Sequence, residues 1–165
     1  MDAFELLIRD HREIMEVFRE VEISSRKKDG KLDENFNRLL RNLELHMNIE
    51  ETMFYPNLVS KKETADITLE GIEEHHVIRE ILKELNLDPG NTAEWRAKLK
   101  VCRENLEHHI NEEETEMFPD VPKVLSKERL SQIANQLEEK KRELLELNII
   151  SCSSGKKQRR QRLPE

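Results

Sequence analysis

Glycine and proline are scarce in this 165-residue chain, nine residues in all. That excludes a sandwich or barrel built from many tight turns, and equally a collagen-like or Pro/Gly-rich disordered chain. Aromatic residues number only seven. There are two cysteines, Cys102 and Cys152, too few for a disulfide framework, so a reducing, cytoplasmic setting is expected. No run approaches the ~18 apolar residues of a transmembrane helix, so no membrane is expected as a partner. The N-terminus has no basic stretch followed by an unbroken apolar run, so no secretory signal is expected.

What the chain has is charge. Charged residues make up 38% and hydrophobic ones 36%, a balance rich in Glu, Lys, Arg and Leu that suits long helices with solvated outer faces. The length suits one domain. Residues 1–150 hold 23 basic and 34 acidic residues, a net of −11, whereas residues 151–165 hold five basic and one acidic. An acidic body repels phosphate backbones, so no nucleic acid is expected as a partner. Residues 151–165 lack periodicity and read as a basic, disordered C-terminal tail.

Apolar residues recur every three to four positions, the helical period. A first stripe reads Phe4, Leu7 or Ile8, His11, Met15, Phe18, Val21. A second reads Leu32, Phe36, Leu39 or Leu40, Leu43, His46, Glu50, Met53, with Pro56 kinking or ending its helix. A third reads Thr68, Ile72, His75, Ile78, Leu82, Leu85, and stops at Asp88-Pro89-Gly90. Asn91, with Glu94 three residues on, reads as the cap pair of the next helix. The fourth stripe reads Trp95, Leu99, Cys102, Leu106, His109, Glu113, Met117, closed by Pro119 and Pro122. A fifth helix is predicted over about 127–147, capped by Ser126. The expected fold is all-α: an antiparallel up-down-up-down four-helix bundle over residues 1–150, with an additional C-terminal helix.

Six polar residues sit where these stripes call for Leu or Ile: His11, His46, Glu50, His75, His109 and Glu113. Burying one unpaired carboxylate costs several kcal/mol, against a net domain stability of roughly 5–15 kcal/mol. A divalent metal compensates such a set, because it pairs with carboxylates and takes neutral imidazole nitrogen. His46/Glu50 and His109/Glu113 are i,i+4 pairs, so each pair lies on one face, about 6 Å apart along the axis.

The arrangement repeats. His46-Met47-Asn48-Ile49-Glu50-Glu51-Thr52 parallels His109-Ile110-Asn111-Glu112-Glu113-Glu114-Thr115, and both continue to a Phe and a Pro. Upstream, Asp10-His11 with Ile14 parallels Glu74-His75 with Ile78. Two similar hairpins would place four His and two Glu at one level, the ligand set of a two-metal site. The same alignment selects His75 and His109 over their neighbours His76 and His108, which lie roughly 100° off the stripe and read as flanking polar residues.

On these residues the chain resembles the hemerythrin-like family, especially its cation-binding HHE branch, over about residues 3–147. The resemblance implies a four-helix bundle holding two non-haem iron ions as a bridged di-iron centre. It implies that Glu50 and Glu113 bridge the irons and that His11, His46, His75 and His109 fill terminal positions. The resemblance is closest to the branch with four His and two Glu, which includes iron-sulfur-centre repair proteins. Oxygen-carrying hemerythrins have a further His where this chain has Arg79, and an Asp one residue beyond the place of Glu113. The short cysteine-bearing N-terminal domain usual in the repair proteins is not expected here. With one His fewer, more coordination positions stay open, favouring reaction or exchange over reversible carriage.

The expected ligand is a small diatomic or a peroxide: O2, NO or peroxide, for sensing, stress protection or iron handling. A di-iron oxidoreductase acting on peroxide or nitric oxide, or in iron-sulfur-centre repair, is the first alternative. A non-catalytic helical interaction module, with the polar core a relic or a zinc site, is the second. Spacing alone leaves iron and zinc both open. Around the site, Glu51 and Glu114 read mainly as solvent-facing, Tyr55 as packing at a helix end, and Cys102 as a small apolar filler.

Overall fold

A computed structural model describes residues 2–88 and 91–155. The described residues are helical, without strands, in the order α1 (Ala3–Lys27), α2 (Leu32–Ile49), α3 (Ala65–Leu87), α4 (Ala93–Glu112), α5 (Phe118–Val124) and α6 (Lys127–Gly155). A π-helical turn, Glu50–Phe54, and a 3₁₀ turn, Tyr55–Asn57, follow α2; a second π-helical turn, Glu113–Met117, joins α4 to α5. The expected bundle with an extra C-terminal helix is the observed architecture. α6 runs past the end expected near Leu147. The rest of the basic tail, residues 156–165, the Pro89-Gly90 turn and the side chain of Cys152 lie outside the described residues.

Paired contacts fix the helix directions. Asn35 at the start of α2 donates to Ser24 near the end of α1 at 2.8 Å, while the rings of His11 and His46 meet 4.7 Å apart. Advancing along one helix means retreating along the other, so α1 and α2 are antiparallel. The same holds for α3 and α4, where the Trp95 indole donates to the Leu85 carbonyl at 3.0 Å and His75 meets His109. α6 packs on α1 and α2.

Local chemistry sets the helix ends. Asp2 and Glu5 form a reciprocal capping box that opens α1. Asp2→Ala is expected to cost about 1 kcal/mol, lowering Tm by about 2–4 °C in thermal melts without disturbing the bundle interior. The cap of α4 differs from expectation: Thr92, not Asn91, accepts from the Trp95 amide. Asn91 instead takes the left-handed conformation at φ 68 and receives Arg96 on its carbonyl. Ser126 does accept from the Arg129 amide, as expected. Pro119 and Pro122 do not close the fourth helical run. Pro119 lies in the first turn of α5, where no N–H is required, and the chain turns extended only at Leu125.

Two apolar clusters fill the interior. One gathers residues such as Phe18, Leu43, Leu82 and Leu99 at the α1–α4 hairpin-loop end; the other gathers residues such as Leu7, Ile49, Phe54 and Val121 beneath α6. The six singled-out polar residues are all buried, at 0–1% exposure, and sit between these clusters. No helix among the described residues is long and apolar enough to cross a membrane.

Candidate metal centre

The two carboxylates stand at equivalent points of the fold. Glu50 and Glu113 each begin a π-helical turn, and each turn closes with an amide five residues on, Tyr55 N–H to the Glu50 carbonyl and Phe118 N–H to the Glu113 carbonyl. In both, the threonine two residues later donates back to an asparagine carbonyl, Thr52 to Asn48 at 2.6 Å and Thr115 to Asn111 at 2.7 Å. Such back-bonding competes with the regular ladder and bends helices. The extra residue also shifts the register, so that Tyr55, five residues past Glu50, is buried beside Phe54 while Met53 is only half-buried. π-turns concentrate at functional sites.

All six expected residues meet. His11 Nε2 lies 3.2 Å from Glu113 Oε2 and 3.9 Å from Glu50 Oε1. His46 Nε2 lies 3.2 Å from Glu50 Oε1, and His75 Nε2 lies 3.3 Å from Glu50 Oε2. His109 Nε2 is 3.5 Å from Glu113 Oε2 and 3.0 Å from His75 Nε2. The donors fall into two groups able to hold a cation, His11/His46/Glu50/Glu113 and Glu50/His75/His109, which share Glu50. His76 and His108 are exposed and outside both; His108 pairs with Glu112 at 3.1 Å.

Three of the imidazoles are held from behind. His11 Nδ1 meets Glu114 at 2.8 Å, His75 Nδ1 meets Glu51 at 2.9 Å, and His109 Nδ1 meets Glu74 at 2.7 Å. A carboxylate only accepts, so each Nδ1 carries the hydrogen and donates it. Each Nε2 is thereby turned to the centre, the arrangement of carboxylate-supported metal histidines. Glu51 and Glu114, expected mainly to face solvent, perform this role, and Glu74 joins them. The signal for Glu74 was present in the repeat, as the acid preceding His75. Tyr55, expected at a helix end, donates its hydroxyl to Glu113 Oε1 at 2.7 Å.

Five of the inward atoms lack a hydrogen-bond partner, while His75 Nε2 and His109 Nε2 have only each other as hydrogen-bond partners. His11 Nε2, His46 Nε2, both Glu50 oxygens and Glu113 Oε2 are buried without a hydrogen bond. Buried polar atoms are normally satisfied, and leaving even one unmade costs about 1–3 kcal/mol. Five such atoms, all imidazole nitrogen or carboxylate oxygen and all convergent, suit cation binding and suit nothing apolar.

A family model, the hemerythrin HHE cation-binding domain, matches residues 2–121, more than half the chain. The chain belongs to the hemerythrin HHE cation-binding family. A solved HHE cation-binding domain-containing protein from Mycobacterium kansasii has the same fold, with a TM-score of 0.76, 22% identity and 87% of each chain covered. A DNA nickase of Nostoc sp. is 23% identical over 136 residues, which are 82% of this chain but 38% of that protein. Membership in the HHE family and the two buried His/Glu groups together make this a cation-binding fold with a donor set to match.

The electrostatics of this HHE centre follow from burial and proximity. Burial opposes charge on His11, but the Glu113 and Glu50 carboxylates outweigh it and push the ring up to about 11. His75 rises to about 9 against burial, through Glu50 and Glu51. Burial takes His46 down to about 3, opposed by Glu50 and reinforced by the other histidines. Glu50 is buried too, yet His46, His11 and His75 hold its carboxyl well below the usual range. Burial and the Glu113 charge push the Tyr55 phenol well above its ordinary value, so it stays a donor. Burial alone pushes the Cys102 thiol up to about 12, which leaves it an apolar filler as expected.

Proposed function

We propose that this chain is a non-haem di-iron protein that binds O2, NO or a peroxide in the cytoplasm, for sensing, stress protection or iron handling. His11 and His46 would hold one iron, His75 and His109 the other, with Glu50 and Glu113 serving both. The observation that carries the reading is the pair of buried His/Glu groups that share Glu50, together with the unpartnered Nε2 and carboxylate oxygens at their centre. When bound, the iron pair supplies open coordination positions and one-electron chemistry toward small oxygen and nitrogen ligands.

The chain's own residues do the rest. Glu51, Glu74 and Glu114 hold three imidazoles in one tautomer. The Tyr55 hydroxyl holds Glu113 Oε1, so Oε2 faces His11 and His109. Phe118 stacks on His11 with ring centroids 6.3 Å apart and, with Phe54, keeps water from that side. Arg79, at the place of the carriers' further His, donates to Glu51 at 2.6 Å and to Glu44 at 3.0 Å. It therefore steadies the acid behind His75 and offers no ligand, which supports exchange or reaction over carriage. DNA nicking is left with the Nostoc relative, of which this chain spans only 38%.

Protein produced with ample iron is expected to carry one iron per buried His/Glu group, two per chain, with near-ultraviolet and visible absorption that zinc would not give. Iron-free, stably folded protein under those conditions overturns the reading.

Two further outcomes follow. Without a cation, His11 (about 11) and His75 (about 9) both hold a proton at neutral pH. Ligation needs the neutral ring. Metal uptake at pH 7 is therefore expected to release protons from both rings, and affinity is expected to fall as pH is lowered. Calorimetric titration in buffers of different ionisation enthalpy measures this. Gly71→Ala is the second. A Cβ there would lie 3.2 Å from the Tyr55 hydroxyl and 3.5 Å from His109 Cε1. Ala favours the helix by up to about 1 kcal/mol, which offsets the crowding, so Tm should move little. Iron affinity should drop severalfold as the Tyr55 hydroxyl is pushed off Glu113, read by titration of the variant beside wild type.

A further inference from the structure

The fourth imidazole is treated differently from the other three. In the internal repeat Asp10 is the counterpart of Glu74, and Glu74 bonds His109 Nδ1 at 2.7 Å. Asp10 should serve His46 in the same way, yet its Oδ2 stands 4.0 Å from His46 Nδ1, beyond hydrogen-bond range. His46 Nδ1 is buried without any partner. Two features account for the gap. Asp is one methylene shorter than Glu, and its Oδ1 is taken at 2.5 Å by Lys141 Nζ. Lys141 comes from α6, the helix outside the four-helix bundle. Asp10 is 3% exposed, so this ammonium is its principal compensation; Arg9 reaches the same oxygen only at 3.9 Å. A cavity of about 180 Å³ lies alongside, lined among others by Asp10, Asn42, Lys141 and Leu145.

We propose that Lys141 is a positioning residue of the metal centre: by holding Asp10 away from His46 it leaves that ring unsupported and makes the His11/His46 group the weaker, more exchangeable cation position. The inference rests on His46 being a ligand. A histidine whose Nδ1–H donates to a carboxylate is locked in orientation and is a more basic ligand through Nε2. His11, His75 and His109 have that support and His46 does not. Through one lysine, α6 therefore makes two otherwise repeated half-sites unequal.

The test uses the full chain and two readouts. Lys141→Met frees Asp10 to reach His46, and its apolar side chain can lie against Leu145 in the cavity. Stepwise titration with zinc is expected to show the weaker step tightened about tenfold in Lys141→Met, the size typical of such outer partners. In an Asp10→Asn background the same substitution should have no such effect, which ties the gain to Asp10. Lys141→Arg, which keeps the cation, should behave as wild type and shows whether loss of fold explains any change. Nitrogen NMR of His46, on chelator-treated and zinc-loaded protein alike, should reveal an exchange-protected Nδ1–H in Lys141→Met that wild type lacks. An unchanged weaker step with an unchanged Nδ1 signal overturns the proposal. A wild-type chain that takes up no cation would sink the di-iron reading instead, and the Nδ1 signal of the chelator-treated protein would still decide the role of Lys141.

Discussion

Glu50→Ala is expected to abolish paired metal binding and to destabilise the chain by about 3 kcal/mol or more. Glu50 is the residue common to both His/Glu groups. Its two oxygens point different ways, Oε1 to His46 at 3.2 Å and Oε2 to His75 at 3.3 Å. Its loss removes a donor from each half-site at once, and it leaves buried imidazoles without the carboxylate that compensates them. Glu113 is less central in the same sense: Oε1 is engaged by Tyr55, and only Oε2 faces the histidines. Glu113→Ala should therefore keep at least one metal, while Glu50→Ala should keep at most one, weakly. Metal analysis after gel filtration distinguishes the two, and thermal melts should place Glu50→Ala roughly 6–12 °C below wild type. A Glu50→Ala protein that retained both metals would show that the groups do not depend on a shared carboxylate.

Much of this centre is legible in the sequence. His11, His46, Glu50, His75, His109 and Glu113 stand out because polar side chains on an apolar stripe are costly, and a cost repeated in two hairpins must have a common remedy. Trp95, Leu99, Cys102 and Leu106 fell on a stripe of uniform period, and all are buried. What periodicity does not carry is a change of period. The π-turns at Glu50 and Glu113 insert a residue into the helical count, so Tyr55, expected to pack at a helix end, turns inward to Glu113. The clue was the Phe that stands one position out of step between the two repeats, beside the shared Asn-x-x-x-Thr. Asn91 was misread for a local reason: both Asn and Thr cap helices, and only the left-handed backbone at Asn91 gives the cap to Thr92. The acids behind the imidazoles were harder still. Glu51 and Glu114 reach across to a neighbouring helix, to His75 and His11. A one-dimensional pattern tells which side of its own helix a residue is on, and does not tell which neighbour a long side chain can reach.

Removing the metals is the other change expected to be large. Glu50, Glu113 and four histidines occupy a layer between two apolar clusters, in positions where Leu or Ile would bury freely. Without cations the layer is compensated only by protons shared among groups that are mutually repulsive in part, since His11, His75 and His109 all oppose charge on His46. Cations bind the folded chain, where the donors converge, far better than the unfolded one, so they stabilise by mass action. At a free concentration about a thousand times Kd, each site contributes roughly 4 kcal/mol. Two such sites contribute roughly 8 kcal/mol, which at about 2–4 °C per kcal/mol corresponds to a Tm shift of roughly 15–30 °C. Chelator treatment should lower Tm by that amount and re-addition of iron should restore it. The control is a chain with His46→Leu and His109→Leu, which removes one imidazole from each group while keeping the layer packed. Its Tm should respond little to chelator, and it should stay below that of metal-loaded wild type, because Glu50 and Glu113 remain buried without those two imidazoles. Equal melting of wild type with and without chelator, at full metal occupancy, would mean that the six donors are satisfied within the protein and that no cation compensates them.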